Sequence, residues 1–377
     1  MQPRRAMWIF IFTTLFVAVN DRLLFVIFPT FLIEKNFSAT EIGLIFSFGA
    51  FMLVVLRTVI GRLSDRYGRK KVLSLSLLIS SMTTAVYPYA SRLYEFATIK
   101  SAEEISRTLK ESVDESIQAD AFPRKSRPEY LIKMGKAFPI SRAIAAVLGI
   151  IITTYLSLVY GFYIAAISMF IAFLVFAVFY REEKSAKKKT MGKISPLAYG
   201  RKFNTIAVVG FITALVFGLM YFPAFFILAE RVLGLKANDL FVFLLISYIV
   251  SAALIHFVEK RKKNFGTKSI MIGILIFFAL FSFLYAFSNM FLFVVALMGI
   301  AVSYYFWRIA FKTMKMDIAK PVTRGEQLGF AKTLEGIGDI LGPFIGGLLI
   351  DIFSIQTPFI LGSLLYILVA IIILKSI

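Results

Sequence analysis

Eleven apolar stretches, each long enough to cross a bilayer, dominate this sequence. A membrane-spanning helix needs about 20 consecutive, mainly apolar residues. The stretches lie at roughly 7–33, 39–60, 71–91, 138–158, 161–180, 203–229, 238–258, 269–288, 290–313, 326–350 and 355–375. The chain is 59% hydrophobic with 41 Phe, which is typical of lipid-facing helices rather than of a soluble domain. The sequence therefore predicts an all-α integral membrane protein.

A twelfth crossing is predicted at 94–119, although this segment is highly charged. From Lys100 to Glu115, eight of sixteen side chains are ionisable. Without a crossing here, the basic loops would fall on both sides of the membrane. With it, the outer segments keep only Lys35, Arg92, Arg231 and Lys236. Because basic loops stay in the cytoplasm, we expect twelve spans with both termini cytoplasmic. The alternative is a cytosolic amphipathic helix between two spans.

The charges of this segment share one face of a helix. An arc of about 140° on a helical wheel contains Lys100, Glu103, Glu104, Arg107, Lys110, Glu111, Asp114, Glu115 and Gln118. Eight charges facing lipid would cost roughly 20 kcal/mol or more, which exceeds the stability of an ordinary fold. The face must therefore meet water or opposite charges inside a bundle. Pairs such as Lys100–Glu104 and Glu103–Arg107 allow partial neutralisation. An inert salt-bridge ladder is the alternative to a solute pathway.

A short motif, "GRLSDRYGRKKV" at 61–72, follows the second apolar stretch. Gly61 allows a close turn at the membrane surface, and Gly68 permits a tight reversal into the third span. Asp65 is the only acid among several basic residues, so it can hold a neighbouring helix N-terminus or a basic residue and then release it. The motif resembles, at every fixed position, the major facilitator superfamily signature G-x-L-x-D-R-x-G-R-K between the second and third helices.

The resemblance covers essentially the whole chain and implies twelve transmembrane helices in two pseudo-symmetric six-helix bundles. A central cavity would open alternately to each side of the membrane. The expected division is an N-terminal bundle at 1–180, a cytoplasmic basic linker at 181–202 and a C-terminal bundle at 203–377. The fourth helix, which carries the charged face, is among the cavity-lining helices of that family. The resemblance also implies a conformational latch at Gly61, Asp65, Arg66, Gly68 and Arg69.

Two other family motifs match less well. The antiporter signature Gly-Pro-x-x-Gly-Gly of the fifth helix is absent, since the chain has "AAVLGIIITT" at 145–154. A similar run, "GIGDILGPFIGG" at 336–347, lies in the eleventh span, where small residues allow close helix packing. In the fourth helix, Lys110 and Glu111 stand where the family often has Gln and Gly after its arginine. A proton-transfer role for Arg107 is therefore only suggested by the resemblance.

Ionisable residues within spans are the candidates for a substrate and proton pathway. They are Asp21, Arg22, Glu103, Glu104, Arg107, Glu111, Asp114, Glu115, Arg142, Arg308, Glu335 and Asp339. Asp21 can either bind substrate or a proton, or form a structural pair with another helix. Lys332, Glu335 and Asp339 share one face of the eleventh span. Aromatic side chains in the later spans, such as Tyr304 and Trp307, are expected mainly to pack.

These features favour a secondary active transporter that moves a small polar or charged organic solute by alternating access, coupled to protons. We expect a monomer in the plasma membrane. Efflux of multiple toxic compounds is the alternative within the same family, and a non-transporting receptor or a lipid-acting membrane enzyme is less favoured. The sequence has no phosphate loop, nucleophile triad or metal-ligand spacing, so we expect no enzyme activity, cofactor or metal. Basic residues occur in short bursts rather than one patch, so no nucleic-acid partner is expected.

Overall fold

The computed structural model describes residues 3–121, 130, 137–181, 199–260, 266–287, 289–319 and 324–376. In this part of the chain, twelve long helices follow one another, and each coincides with one predicted span. They are α1 (Pro3–Glu34), α2 (Ala39–Tyr67), α3 (Arg69–Val86), α4 (Leu93–Ala121), α5 (Ala137–Tyr155), α6 (Leu158–Phe179), α7 (Arg201–Leu219, extended by π-helical turns to Val232), α8 (Ala237–Lys260), α9 (Thr267–Tyr285), α10 (Met290–Ile318), α11 (Arg324–Ile352) and α12 (Thr357–Ser376). The predicted all-helical fold is confirmed.

Hydropathy separates α4 from the other helices. Among the described residues, nine helices are long and apolar enough to cross a membrane, and shorter apolar segments lie in α5 and α8 at 140–155 and 237–251. Because α4 carries many charged residues, it belongs neither to the nine long apolar helices nor to the shorter apolar segments. Its 29 residues nevertheless extend about 43 Å at 1.5 Å per residue, which is longer than the roughly 30 Å hydrocarbon core.

Local chemistry sets several helix ends. Before α2, the Ser38 amide donates to Glu41 Oε2 at 2.8 Å and the Glu41 amide donates to Ser38 Oγ at 3.2 Å, which is a capping box. Asn289 caps α10 by accepting from two backbone amides. Gly68, between α2 and α3, has a φ of 89°, a conformation that favours glycine. The predicted tight reversal at Gly68 is therefore present.

The seventh helix is irregular near its C-terminal end. After Leu219 it continues through two π-helical turns, Met220–Phe225 and Leu228–Val232. Pro223 lacks an amide donor, and Phe222 has a non-helical backbone, so regular helical hydrogen bonding cannot run through this turn. Phe225 and Phe226 are buried. Protein packing therefore surrounds the irregular backbone, as a membrane environment requires.

One compact unit comprises Met1–Lys35, Met52–Lys189 and Ala237–Leu245. In it, α1 packs against α5 and α6, and α3 packs against α4 and α6. Phe10, Leu77, Leu109, Met169 and Phe176 belong to its hydrophobic core. This packing fixes the orientation of α4, because Leu109 lies in the core whereas Arg107 is exposed.

The second compact unit comprises Asn36–Phe51, Thr190–Lys236 and Ile246–Ile377. In it, α7 packs against α11 and α12, and α9 packs against α10 and α12. Gly338, Gly342 and Gly346 of α11 lie directly against the α7 backbone, so the close packing predicted for this glycine-rich run is confirmed. The start of α2 also joins α11, since the Thr40 amide and hydroxyl donate to Asp351 at 2.8 and 2.6 Å.

These units do not follow the predicted division into residues 1–180 and 203–377. Most of the predicted linker, 182–198, lies outside the described residues. The sequence-based division therefore stays a prediction.

Candidate functional site

Lys100 is the centre of a charged cluster on α4. Its side chain is only 10% exposed, and its ammonium lies 2.8 Å from Glu103 Oε1 and 3.2 Å from Glu104 Oε1. The ring of Phe28, on α1, lies 5.5 Å away and adds a cation–π contact. An unpaired buried ammonium would be very costly, so the two carboxylates are what allow Lys100 to stay charged in the interior of this unit.

Glu104 connects this buried ammonium to a more exposed cation. The Nε of Arg107 donates to Glu104 Oε2 at 2.7 Å, and a second guanidinium nitrogen pairs with the same oxygen. The Glu104 side chain is 9% exposed, whereas that of Arg107 is 46% exposed. A buried carboxylate thus bridges two cations of different accessibility.

Arg107 is also the central residue of α4 (Leu93–Ala121), about 21 Å from either end at 1.5 Å per residue. A cation facing lipid at that depth is strongly disfavoured. The exposed side of Arg107 is therefore expected to face water within the protein.

Glu103 contacts a tyrosine through its second carboxylate oxygen. The Tyr87 hydroxyl donates a short hydrogen bond to Glu103 Oε2. Tyr87 is fully buried, with the rings of Phe28 and Phe162 at 4.5 and 5.6 Å. The aromatic packing fixes Tyr87, and Tyr87 in turn orients one of the two carboxylates that contact Lys100.

A further ion pair links α4 to α1. Lys110 Nζ lies 3.6 Å from Asp21 Oδ2, and the Asp21 side chain is about half exposed. The neighbouring Asn20 is buried and donates to Thr84 and to the Ala165 carbonyl, which ties this part of α1 to α3 and α6. Asp21 thus contacts another helix, and its role in binding substrate or a proton stays a prediction.

The described members of this cluster have balanced charges. They are three acids and three bases: Asp21, Glu103, Glu104, Lys100, Arg107 and Lys110. We call these six residues the α4 network. A single proton or a bound ion would disturb this balance.

A second charged cluster lies in the other compact unit. Glu335 of α11 is 2.6 Å from Lys315 of α10 and 3.6 Å from Lys332. Lys315 also lies over the Phe311 ring at 4.3 Å. Gly210 of α7 makes room for the carboxylate, because an added Cβ there would lie 3.1 Å from Glu335 Cγ. The sequence predicted Glu335 and its face with Lys332, but it missed Lys315.

The remaining predicted pathway residues lie outside the two charged clusters described above, or outside the described side chains. In the described part of the chain, Arg22 and Arg142 are half-buried, while Arg308 and Asp339 are exposed. The side chains of Glu111, Asp114 and Glu115 lie outside the described residues.

Most of the predicted latch also lies outside the described side chains, namely Gly61, Asp65 and Arg66. Of its remaining members, Gly68 has the positive φ described above and Arg69 is buried in the first turn of α3. The role of the latch stays a prediction.

Aromatic side chains form stacks in the second unit. Phe217 stacks on Tyr221 at 4.3 Å and on Tyr304 at 5.5 Å. Tyr304 is partly exposed, whereas Trp307 is buried and stacks on Phe311 at 5.0 Å. Packing is therefore the role of Trp307, while Tyr304 offers a ring surface at the end of a stack.

The described side chains include no group of three or more His, Cys, Asp and Glu residues that could hold a metal ion.

Known proteins share this architecture. The chain is 24% identical to multidrug resistance protein 1 of Bacillus subtilis (strain 168), over 95% of this chain and 93% of that protein. It is 29% identical to the class H tetracycline resistance protein of Pasteurella multocida, but over only 46% of this chain and 44% of that protein. A crystal structure of the nucleoside transporter NupG superposes with a TM-score of 0.75 at 16% identity, covering 100% of this chain and 99% of that one. This last likeness establishes the fold alone.

A protein family matches nearly the whole sequence. The profile described as Major Facilitator Superfamily matches residues 10–263 and 262–376. The resemblance drawn from the 61–72 motif is therefore confirmed. The helical architecture, the two charged clusters and this match lead to one conclusion: the chain belongs to the Major Facilitator Superfamily of membrane transporters.

Proposed function

We propose that this chain is a proton-coupled secondary active transporter that moves a small polar or charged organic solute by alternating access. It acts as a monomer in the plasma membrane, with both termini in the cytoplasm and without a cofactor. The observation that carries the proposal is the position of Glu104. This buried carboxylate lies between the buried Lys100 and the half-exposed Arg107, at the middle of a helix of spanning length.

The charge balance of the α4 network supplies the coupling. When Glu104 binds a proton, its ion pairs with Lys100 and Arg107 weaken, and the network gains a net positive charge. Once its pair with Glu104 weakens, the Arg107 guanidinium can bind an anionic group of the solute. When the proton leaves, the carboxylate competes for Arg107 again and displaces the solute. Intramembrane carboxylates commonly serve as such relays.

The change of access would follow the family pattern, in which the bundles at 1–180 and 203–377 rock around a central site. We assign the predicted latch, Gly61, Asp65, Arg66, Gly68 and Arg69, to the cytoplasmic control of this motion. The remaining candidates of the pathway are Arg22, Glu111, Asp114, Glu115, Arg142, Arg308, Glu335 and Asp339.

Flux through proteoliposomes tests the proposal. Purified protein is reconstituted with a pH dye inside the vesicles, and a panel of uridine, benzoate and tetracycline is added with and without a pH gradient. Wild-type protein should move protons when its solute is added, and the gradient should drive solute accumulation. Glu104→Gln should remove proton movement while the protein stays folded.

Glu95→Gln is the matched control. Glu95 lies on the same helix but in its exposed first turn, where it accepts from the backbone amides of Ser91 and Arg92. This variant should transport like the wild type. Proton-coupled flux in Glu104→Gln equal to that of the wild type would contradict the coupling role of Glu104.

Efflux of toxic amphiphilic compounds is the second candidate. The similarity to a multidrug resistance protein over most of the chain favours it, as does the stack formed by Phe217, Tyr221 and Tyr304, which can receive an aromatic compound. If efflux is the function, the chain should export tetracycline from cells and raise resistance, and Tyr304→Ala should reduce both. Export of benzoate or uridine without tetracycline would instead support the first candidate.

A further inference from the structure

A groove opens on the surface of the first unit, between the start of α1 and the end of α6. Its volume is about 500 Å³, and its walls include Arg4, Arg5, Trp8, Phe12 and Phe179. Both arginines are exposed, and the three aromatic side chains are about half exposed. The groove therefore has a cationic end and an aromatic end.

Helix geometry explains why these residues share one surface. Positions 4, 5, 8 and 12 fall within about 100° on a helical wheel, so they form one face of α1. Val175 and Phe179 of α6 are one turn apart and form the opposite wall. The two arginines lie nearest the chain terminus, and the aromatic residues follow deeper along the helix.

Aromatic packing behind the groove holds its two walls in place. The Phe10 ring lies 5.7 Å from the Tyr180 ring and 6.2 Å from the Phe176 ring. Phe176 and Tyr180 stack at 4.7 Å. All three side chains are buried. The groove is thus preformed, and a ligand that enters it does not need to separate α1 from α6.

We propose that this groove binds one anionic phospholipid. The two guanidinium groups match a phosphodiester, to which arginine can donate paired hydrogen bonds. Trp8 suits the boundary between headgroups and acyl chains, and Phe12 with Phe179 contacts the upper part of an acyl chain. With the N-terminus in the cytoplasm, as proposed above, the lipid comes from the cytoplasmic leaflet, whose anionic surface attracts basic segments.

Quenching of Trp8 by brominated lipid provides a direct test. The chain has two tryptophans, so Trp307→Phe leaves Trp8 as the only tryptophan, whose fluorescence can be excited selectively over that of tyrosine. The full chain is reconstituted in mixtures of phosphatidylglycerol and phosphatidylcholine in which one or the other lipid is brominated. Each arginine near the surface should strengthen anionic lipid binding about fivefold. We expect a phosphatidylglycerol preference of up to about 30-fold at Trp8, falling to near one in the double variant Arg4→Gln/Arg5→Gln.

The double variant Arg201→Gln/Lys202→Gln is the matched control. These two residues begin α7, are exposed and carry the same charge, but they do not line the groove. The preference at Trp8 should survive in this control, and millimolar inorganic phosphate should not abolish it. An equal response to both lipids, or loss of the preference in both double variants alike, would overturn the proposal. Competition by inorganic phosphate would point to a free-phosphate site and would overturn it as well.

If Trp307→Phe does not fold, native mass spectrometry of the otherwise unmodified chain replaces the fluorescence assay. Retained phosphatidylglycerol should then decrease in Arg4→Gln/Arg5→Gln and persist in the control. Equal retention by both variants would contradict the proposed site.

Discussion

Replacing Lys315 with methionine should destabilise the protein much more than the same change at Lys332. Both lysines contact Glu335, but their side chains are 15% and 51% exposed, and their distances to the carboxylate are 2.6 and 3.6 Å. The Glu335 side chain is only 14% exposed. Loss of Lys315 leaves a buried charge with one distant partner, for which the typical cost is about 3–5 kcal/mol. Loss of the exposed Lys332 should cost about 0–1 kcal/mol.

Equilibrium unfolding in mixed detergent and dodecyl sulfate micelles measures this difference. The double variant Lys315→Met/Glu335→Leu should recover most of the lost stability, because replacing both members of a buried pair with apolar residues is often nearly neutral. Transport by the double variant then decides the role of the pair. Normal flux would make the pair purely structural, whereas lost flux in a stable protein would support its place in the pathway. Equal destabilisation by Lys315→Met and Lys332→Met would refute the reasoning.

Two further predictions concern helix contacts in the second unit. Gly342→Val should reduce the yield of folded protein, since an added Cβ would lie 2.9 Å from the Gly218 Cα and overpacking typically costs about 1–3 kcal/mol. Gly273→Ala is the control and should be tolerated, because a Cβ added at Gly273 has no neighbour within 4 Å. Equal yields of the two variants would contradict this account. Asp351→Asn should weaken the two hydrogen bonds from Thr40 by about 1–2 kcal/mol. The Thr40 amide should then exchange hydrogen roughly 5- to 30-fold faster, and unchanged exchange would show that this contact does not hold the start of α2.

The sequence predicted the helices well because their main signal is local. Apolar stretches of spanning length and the glycine at position 68 are read from neighbouring positions along the chain. The charged helix α4 was also predicted, although its hydropathy is low, because the distribution of basic loops favours a crossing there. The close packing of Gly342 likewise followed from a run of small residues.

Partner choice within the charged clusters could be predicted only in part. Helical spacing predicted the Lys100–Glu104 pair, which is present. It also suggested a Glu103–Arg107 pair, but the structure shows Arg107 paired with Glu104. The partner of Lys110 is Asp21, on another helix, and sequence spacing carries no information about such a contact. Tyr87 was missed because its role depends on the side chains that bury it, and only the folded unit brings these together.

Thiol labelling at the middle of α4 tests the central claim, namely that its charged face meets water inside the membrane. The chain has no cysteine, so Arg107→Cys introduces a unique thiol. Ile167→Cys is the control, because Ile167 lies near the middle of the apolar helix α6 and is 58% exposed. In membranes, a charged, membrane-impermeant thiol reagent should modify residue 107 but not residue 167. The same reagent should modify residue 167 once the protein is unfolded in dodecyl sulfate, where the thiol meets water and can ionise. Failure of the charged reagent to reach residue 107 would contradict the account.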